Sequence, residues 1–397
     1  MRRARARVTR KRFLGGLAAG AGAALAGPGL AAGAGPAPRV AAGGASAQPA
    51  PQHAPRRAQG GPLHIDIHNH VIPRAYIDAA RRDSARLGTR VEDAGPDAVW
   101  VMQENGRRIQ ARPGHFDQPF RLREMDAAQI DVTVESLLPP LLPYWAPADV
   151  GAAICRTIND AIAADVAQYP DRVVGMGLVP MQDVAAAIRE LDRLVRDLHL
   201  PSVLLGCNVN GKNFDEPELF PFFQRAQELE VLVYFHPDVP EFPRLDRYYL
   251  TNLIGNPLDT SIALTSLVFG GVVERLPDLK LCFAHAGGYA PWIRGRWAHG
   301  QEHRPEPKVA TSQPFDDAFA RLYFDSLIFR TDALEFLLRS VGADHVLLGT
   351  DYPADMGRWD QVPIIQGLSF LSQAEKDLVL GGNAARLLKL DQQTQAS

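Results

Sequence analysis

The sequence predicts an α/β protein built as a (β/α)8 TIM barrel, with an inserted lid segment after the first strand. Eight short runs rich in β-branched and apolar residues recur between residues 61 and 392, and stretches of helix length separate them. This alternation favours a closed parallel sheet. The expected strands lie near residues 63–69, 131–138, 172–179, 202–207, 230–235, 279–284, 321–326 and 345–350.

The stretches between the strands have the amphipathic pattern of helices. The main alternative to the barrel is an open, doubly wound sheet, in which a glycine-rich phosphate loop often follows the first strand. No such loop follows residues 63–69, so a barrel over residues 61–392 is the favoured interpretation. The expected helices include residues 148–168, 182–199, 217–229, 258–276, 330–341 and 372–390.

Residues 71–130 interrupt this rhythm between the first two strands of the predicted barrel. Asn105-Gly106 follows a strand-like run there, which predicts a β-hairpin with a two-residue turn. An insertion at this point of the chain lies at the C-terminal mouth of a barrel, where loops that determine specificity are usually found. We therefore expect residues 71–130 to form a lid.

The N-terminal segment has the order of a secretory signal. An arginine-rich start is followed by a weakly apolar Gly/Ala run and by a possible cleavage site at Ala45-Ser46-Ala47. Residues 9–14 resemble a twin-arginine motif, with Lys11 where the second arginine is usual. The sequence thus predicts a twin-arginine-type signal peptide over residues 1–47, a flexible lead-in over 48–60, and an exported protein; a disordered basic arm is the alternative.

The charge distribution limits the classes of partner. The formal net charge is −3, but residues 1–60 carry ten Lys/Arg and no Asp or Glu, so the rest of the chain carries −13. A folded part this acidic disfavours nucleic acids and anionic membranes as partners and favours small molecules. No apolar run beyond the signal is long enough to cross a bilayer. The three cysteines form no pairing pattern, which predicts buried, unpaired thiols.

Ionisable residues stand at the ends of four of the predicted strands. His68 and His70 are two positions apart on the first strand, so their side chains point the same way. His236 follows the fifth strand, His285 the sixth and Asp351 the eighth. Because the C-terminal ends of barrel strands share one rim, these side chains are expected to converge there. Two imidazoles on one face are a suitable chelate for a borderline divalent ion.

Several motifs resemble a known family. HIDIHNHVIP, YFHP, CFAHAGG and LLGTDYP occur in this order between residues 63 and 390. They resemble the decarboxylase-type branch of the amidohydrolase superfamily. The connecting segments RLREMD, LVPMQ and FGGV resemble the same branch.

The resemblance implies one divalent metal ion, usually zinc, held by His68, His70, His236 and Asp351. It also implies that His285 and Asp351 are the catalytic residues. A divalent ion lowers the pKa of bound water from about 15.7 towards about 7. His285 would then accept or return protons as the acid–base group.

A single ion is favoured over two. Binuclear relatives carry a metal-bridging lysine at the end of the fourth strand, whereas this chain has Gly206-Cys207-Asn208 there. Lys212 comes later, in a turn-like Gly-Lys-Asn context.

The resemblance also indicates how a carboxylate substrate would be bound. The family directs two arginines at the substrate, and Arg296 matches the one that the neighbouring subunit of a homodimer presents. Arg112 in the lid segment is the positional match for the other, and Tyr249 matches an aromatic residue that contacts substrate. The chain departs from the family at Asp238, where a tryptophan is usual after the His-Pro pair. This departure, together with the predicted export, favours an unsaturated or aromatic carboxylic acid other than the family's usual substrate.

Three functions are compatible with these residues. The favoured hypothesis is an exported metal-dependent carboxy-lyase that removes CO2 from an unsaturated or aromatic carboxylic acid. The second is a metal-dependent hydrolase of a small lactone, amide or ester on the same fold. The third is a binding protein without catalysis, which His285 argues against because binding alone would not need it.

Overall fold

The computed structural model describes residues 62–240 and 242–390. The predicted signal peptide (residues 1–47), the lead-in (48–60) and the outermost residues assigned to the barrel (61 and 391–392) lie outside the described residues and stay predictions. The strands are β1 (Ile65–Val71), β2 (Thr89–Asp93), β3 (Val99–Gln103), β4 (Arg108–Ala111), β5 (Val132–Leu137), β6 (Val173–Leu178), β7 (Ser202–Leu205), β8 (Leu232–Phe235), β9 (Lys280–Phe283), β10 (Tyr323–Asp325) and β11 (Val346–Leu347).

Helices alternate with these strands. They are α1 (Arg74–Arg82), α2 (Ser84–Leu87), α3 (Pro113–Phe116), α4 (Gln118–Ala127), α5 (Ala148–Gln168), α6 (Val184–Arg196), α7 (Phe220–Glu228), α8 (Asn256–Phe269), α9 (Val272–Arg275), α10 (Ala290–His303), α11 (Phe315–Phe319), α12 (Thr331–Val341), α13 (Gln361–Gln366), α14 (Gln373–Asp377) and α15 (Asn383–Leu387).

Eight parallel strands form the main sheet, in the order β1-β5-β6-β7-β8-β9-β10-β11. The sheet closes because the segment after β11 returns to β1: the Ile67 amide donates to Leu348 O at 2.9 Å, and the Asp351 amide donates to His68 O at 2.7 Å. The barrel predicted from the sequence is confirmed. All eight expected strands are present; the first keeps its seven residues but is shifted by two positions, and each of the others is two to four residues shorter than its sequence pattern.

The strands of the main sheet are buried on both faces. All seven residues of β1 are buried, with Ile65 and Ile67 in the hydrophobic core and His68 and His70 alternating with them. Strands covered on both faces read as continuous buried runs, which is typical of parallel sheets with helices outside. The hydrophobic core therefore lies between the sheet and its helices, and the polar face of β1 is left for the barrel axis.

One expected helix is divided in two. Residues 258–276 form α8 and α9, separated by Gly270 and Gly271. Gly271 has φ 72°, and a Cβ there would lie 2.2 Å from Ala310 O. Only glycine accepts both the left-handed backbone and this close approach. The helix expected over residues 372–390 is present from Gln373 to Leu387, where a π-helical segment, Leu378–Gly382, joins α14 to α15.

The insertion between β1 and β5 contains α1 to α4 and a three-stranded antiparallel sheet in the order β2-β3-β4. The expected hairpin at Asn105-Gly106 joins β3 to β4, but the Gln103 amide donates to Arg107 O at 2.9 Å, so the turn between this pair has three residues, Glu104 to Gly106. Gly106 has φ 88° and its amide donates to Gln103 O at 3.0 Å. A turn followed by a left-handed glycine is the usual three-residue hairpin connection, which explains the difference.

Two smaller expectations concern cysteines and membranes. Cys155, Cys207 and Cys282 are free and buried, as predicted. Within the described residues, no helix combines the length and the apolar character that a bilayer crossing requires.

Candidate metal centre and active site

Three histidine rings meet at the C-terminal rim of the barrel. His68 and His70 leave β1 on the same face, with ring centroids 5.1 Å apart. His236, directly after β8, lies 5.0 Å from the His68 ring and 4.9 Å from the His70 ring. The expected convergence of these side chains therefore occurs.

Asp351 completes this group from the segment after β11. Its Oδ1 lies 3.3 Å from His68 Nε2 and 3.0 Å from His70 Nε2. One ligand atom from each of His68, His70, His236 and Asp351 lies within 4.8 Å of the others, and all four residues are buried. This spacing fits four ligands around one ion.

The hydrogen bonds of the three imidazoles leave one nitrogen of each facing the centre. His68 Nδ1 donates to Asp325 Oδ2 at 2.5 Å, and His236 Nδ1 donates to Pro237 O at 2.8 Å. His70 Nδ1 donates to Ser136 Oγ at 3.2 Å. Because each ring proton is on Nδ1, the Nε2 atoms are acceptors that the Asp351 carboxylate cannot satisfy, and among the described residues none of the three buried Nε2 atoms has a hydrogen-bond partner.

Buried nitrogens without a partner are costly in a folded protein unless a ligand satisfies them. The pattern fixes each ring in the tautomer whose Nε2 lone pair can bind a cation. Three imidazole nitrogens and one carboxylate oxygen are a suitable donor set for a divalent transition-metal ion. The residues present therefore fit a mononuclear metal centre.

The electrostatics of the centre agree with this fit. Burial lowers the pKa of His70 to about 4 and holds the pKa of His236 well below its usual value, so both rings are neutral ligands at pH 7. Burial also opposes charge on His68, but the carboxylates of Asp351 and Asp325 outweigh it and raise the pKa of His68 to about 10. The two carboxylates thus stabilise positive charge at the centre.

His285 lies at the edge of the same group. Its ring centroid is 5.0 Å from His68 and 4.8 Å from His236, and its Nε2 lies 3.8 Å from Asp351 Oδ2. Its side chain is 18% exposed, whereas those of His68 and His70 are at most 1% exposed. An imidazole beside the centre but open to solvent can exchange protons with a bound molecule.

The backbone at His285 is held in a left-handed turn. His285 has φ 54° and Ala286 φ 55°, a conformation that non-glycine residues adopt at a cost of roughly 1–2 kcal/mol each. The His285 and Ala286 amides donate to the Asp325 carboxylate at 3.0 and 2.8 Å. These two hydrogen bonds stabilise the turn and fix where the His285 ring lies.

Asp325, at the end of β10, is the residue that sequence reasoning missed. It accepts hydrogen bonds from the His68 ring, from Tyr234 Oη at 2.9 Å and from the His285 turn. It is fully buried, and its pKa lies below its usual value because the facing histidines outweigh the effect of burial. A signal was available, since Asp325 also ends a strand at the same rim.

Replacing Asp325 tests its orienting role. Asp325→Asn keeps the shape but removes the charge beside His68, and partners of this kind contribute about 10- to 100-fold in metal affinity. We expect a loss of that size in competition with a chelator. Tyr234→Phe removes a single hydrogen bond to the same carboxylate and is expected to have a smaller effect. Unchanged affinity in Asp325→Asn would show that His68 does not need this partner.

The three residues expected to bind substrate lie at the surface of the chain. Arg112 is exposed and its guanidinium donates to Gln110 Oε1 at 2.9 Å. Tyr249 is 53% exposed, and its hydroxyl lies 3.3 Å from Asp355 Oδ1, in the segment after Asp351. Arg296 is exposed on α10. None of these three lies within the buried group of metal-binding side chains.

Lys212, discussed above for binuclear relatives, lies elsewhere. Its Nζ donates to Glu218 Oε1 at 2.8 Å, and the side chain is 57% exposed. This surface ion pair agrees with a mononuclear centre.

A second arginine of the insertion reaches the barrel mouth. Arg107, just before β4, pairs with Asp238, two residues after His236, and donates to Pro140 O at 2.9 Å. Both residues line a cavity of about 460 Å³ together with Asn208 and Asp259. Burial raises the pKa of Asp238 and of Asp259 to about 6 each. The mouth is thus richer in carboxylates than in cations among the residues that line this cavity.

Comparisons with known proteins identify the family. A family model described as amidohydrolase matches residues 65–390. The 2-amino-3-carboxymuconate-6-semialdehyde decarboxylase of Dictyostelium discoideum is 34% identical over 332 residues, covering 83% of this chain and 92% of that protein. The gamma-resorcylate decarboxylase of Rhizobium radiobacter is 29% identical over 289 residues, covering 69% of this chain and 88% of that protein.

A solved structure resembles the fold over most of this chain. The dihydroxybenzoic acid decarboxylase of Polaromonas sp. JS666, with bound manganese and the inhibitor 2-nitroresorcinol, aligns with a TM-score of 0.66 and 25% identity. The alignment covers 83% of this chain and 97% of that chain. The motif-based prediction is confirmed: the chain belongs to the amidohydrolase family, and the relatives it resembles include several named as decarboxylases.

Proposed function

We propose that this protein is a metal-dependent carboxy-lyase that removes CO2 from an unsaturated or aromatic carboxylic acid. The observation that carries the proposal is the set of three buried Nε2 atoms aimed at one point, with Asp351 as fourth ligand and His285 beside them. The similarity to relatives named as decarboxylases of such acids supports it.

The metal we propose is zinc. Three nitrogen donors and one carboxylate suit zinc, and the same set accepts manganese, which a related structure contains. Elemental analysis of the purified protein tests the identity. If the purified protein carries manganese and no zinc, manganese replaces zinc in this proposal and the four proposed ligands stay the same.

The reaction needs one proton moved onto carbon as the carboxylate leaves. When bound, the metal supplies a positive charge that stabilises negative charge developing on the substrate. His285 would deliver the proton to the carbon that bore the carboxylate, which the partial exposure of its side chain beside the metal ligands supports. The C–CO2⁻ bond then breaks, CO2 leaves, and hydrogen takes its place. Asp325 holds the His285 turn and the His68 ring in position throughout.

A substrate carboxylate needs a cation outside the metal centre, and we propose that a homodimer supplies it. Arg296 is exposed in the protomer, which leaves its planar guanidinium free to reach a neighbouring subunit's site. Mixing an Arg296→Ala subunit with a His285→Ala subunit would then restore part of the activity. If mixtures that have exchanged subunits stay inactive, the proposal that Arg296 acts in the neighbouring subunit's site is wrong. Arg112 and Tyr249 keep their proposed roles as substrate contacts from the insertion and the mouth.

The insertion would act as a lid, fastened to the mouth by the Arg107–Asp238 pair. A distal substrate group entering this cavity meets two carboxylates and one arginine, so hydrogen-bond donors such as ring hydroxyls suit it better than a second carboxylate. Hydroxylated aromatic acids are therefore our preferred substrate class.

Removing the Arg107–Asp238 ion pair tests whether the insertion acts as a lid. Asp238→Asn removes the charge that Arg107 pairs with, which typically weakens a half-buried contact by about 1–2 kcal/mol. We expect hydrogen exchange of the β3–β4 hairpin amides to speed up roughly fivefold or more. Arg90→Ala, an exposed arginine of the adjacent strand β2, is the matched control and should leave the exchange unchanged. Equal exchange in both variants would exclude the fastening.

The reaction itself is tested by incubating the metal-loaded protein with hydroxylated aromatic acids and muconates and measuring CO2. Release of CO2 from at least one acid, lost in His285→Asn, is the expected result. Turnover of lactones or esters, with no CO2 from any acid, would favour the hydrolase instead. Export through the twin-arginine-type signal is a separate proposal, tested by sequencing the N-terminus of the protein recovered outside the cytoplasm.

A further inference from the structure

The last two turns of α10 carry a second group of metal-binding side chains, far from β1 in the chain. His299, Glu302 and His303 are exposed, and one ligand atom of each lies within 4.8 Å of the others. The two imidazole rings have centroids 4.0 Å apart with an interplanar angle of 32°. Because residues three and four apart share one helix face, the backbone itself holds the three side chains together.

The hydrogen bonds of this group leave its outer nitrogens available. His303 Nδ1 donates to His299 O at 3.0 Å, which orients the ring and leaves Nε2 directed away from the helix. The Glu302 carboxylate lies 3.8 Å from His303 Nδ1, on the same face. Two cationic side chains lie nearby: Arg304 is paired with Glu306, and Lys308 Nζ donates to the backbone oxygen of Glu302 at 3.1 Å, which leaves the Glu302 carboxylate to the site.

The end of the helix also favours a cation. The carbonyl groups of the last turn carry partial negative charge, and His303 is the final residue of α10. A divalent ion bound by two imidazoles and one carboxylate would therefore gain from the helix dipole as well as from its ligands. Little side-chain and backbone freedom remains to be lost, because the helix is already formed.

We propose that His299, Glu302 and His303 form a second, surface site for a divalent transition-metal ion. It is open to water on one side, so it binds more weakly than the buried centre and exchanges its ion freely. For mixed nitrogen and oxygen ligands the affinity follows the general order Mn²⁺ < Co²⁺ < Ni²⁺ < Cu²⁺, with Zn²⁺ below Cu²⁺. Manganese is therefore expected to fill the buried centre without filling this site.

An ion at this surface site would also affect Arg296, which lies on the same helix. Arg296 lies three residues before His299, on the turn of α10 that precedes the site. An ion that ties His299 to His303 stabilises the C-terminal half of this helix, including the turn that presents Arg296. The surface ion would thus stiffen the element that carries an exposed arginine.

Equilibrium dialysis against Zn²⁺ tests the site in the full-length protein whose buried centre is already loaded. The unaltered protein should bind one more ion per chain than His299→Ala/His303→Ala, and both should retain the buried ion. His199→Asn, which removes an exposed imidazole elsewhere and suits the left-handed backbone there (φ 56°), should bind as many ions as the unaltered protein. Equal binding by the unaltered protein and the double variant would overturn the proposal.

A spectroscopic measurement decides the ligands independently of stoichiometry. Cu²⁺ added after the buried centre is loaded should give an electron paramagnetic resonance spectrum with coupling to two imidazole nitrogens. The double variant should lose this signal, and Glu302→Gln should keep the nitrogen coupling while weakening Zn²⁺ binding several-fold. A signal that persists unchanged in the double variant would place the ion elsewhere and refute the site.

Discussion

Replacing His285 with asparagine is expected to lower turnover by about 10²- to 10⁴-fold while the metal content stays at one ion per chain. The imidazole is not among the four ligands, and its Nε2 lies 3.8 Å from Asp351 Oδ2. Asparagine is chosen because it tolerates the left-handed backbone at this position (φ 54°) better than alanine does. The change therefore removes the proton carrier without disturbing the turn that Asp325 holds.

Replacing one of the proposed metal ligands is expected to have a different effect from replacing His285. His236→Ala removes one of the three Nε2 donors, so both the ion and the activity should be lost. Measuring kcat and metal content of the two variants side by side separates an acid–base group from a metal ligand. If His285→Asn lost its metal, His285 would be a fifth ligand and the proposed proton transfer would be wrong. If it kept its activity, another group would carry the proton.

The grouping of the candidate metal ligands could be predicted because local pattern and topology agree. Strand alternation places His68 and His70 on one face, and parallel strands bring His236 and Asp351 to the same rim. Those two rules need no knowledge of side-chain contacts. The structure places all four side chains together, as expected. The boundaries were less accurate, since β10 and β11 retain only three and two residues in the ladder.

The remaining parts depend on contacts that sequence periodicity does not encode. Asp325 orients the His68 ring from 257 positions away. Arg107 reaches Asp238 over 131 positions, whereas Arg112, chosen by position in the sequence, forms a local contact with Gln110. α10 is not among the helices named from the sequence, and its pattern has no clear apolar face. Pairings between distant loops depend on backbone geometry, which only the folded chain supplies.

One buried arginine contributes to the anchoring of the insertion to the barrel. Arg121 Nε donates to Glu135 Oε1 at 3.1 Å, and both side chains are at most 1% exposed. The same guanidinium donates to His70 O at 3.0 Å, to Gly114 O at 2.6 Å and to Asn69 Oδ1 at 3.0 Å. Arg121 thus joins α4 to the end of β1, beside the candidate metal ligand His70.

Arg121→Ala is therefore expected to lower the free energy of unfolding by about 3–5 kcal/mol, because it leaves the carboxylate of Glu135 buried without its cation. Arg121→Lys should recover only part of this, since an ammonium group cannot match the planar geometry of four simultaneous hydrogen bonds. Arg123→Ala, an exposed arginine two residues later on α4, is the control and should change stability by less than about 0.5 kcal/mol. Urea unfolding of the metal-loaded proteins measures all three. An Arg121→Ala midpoint equal to that of Arg123→Ala would mean that the insertion is held by its apolar contacts, and that the end of β1 keeps His70 in place without this arginine.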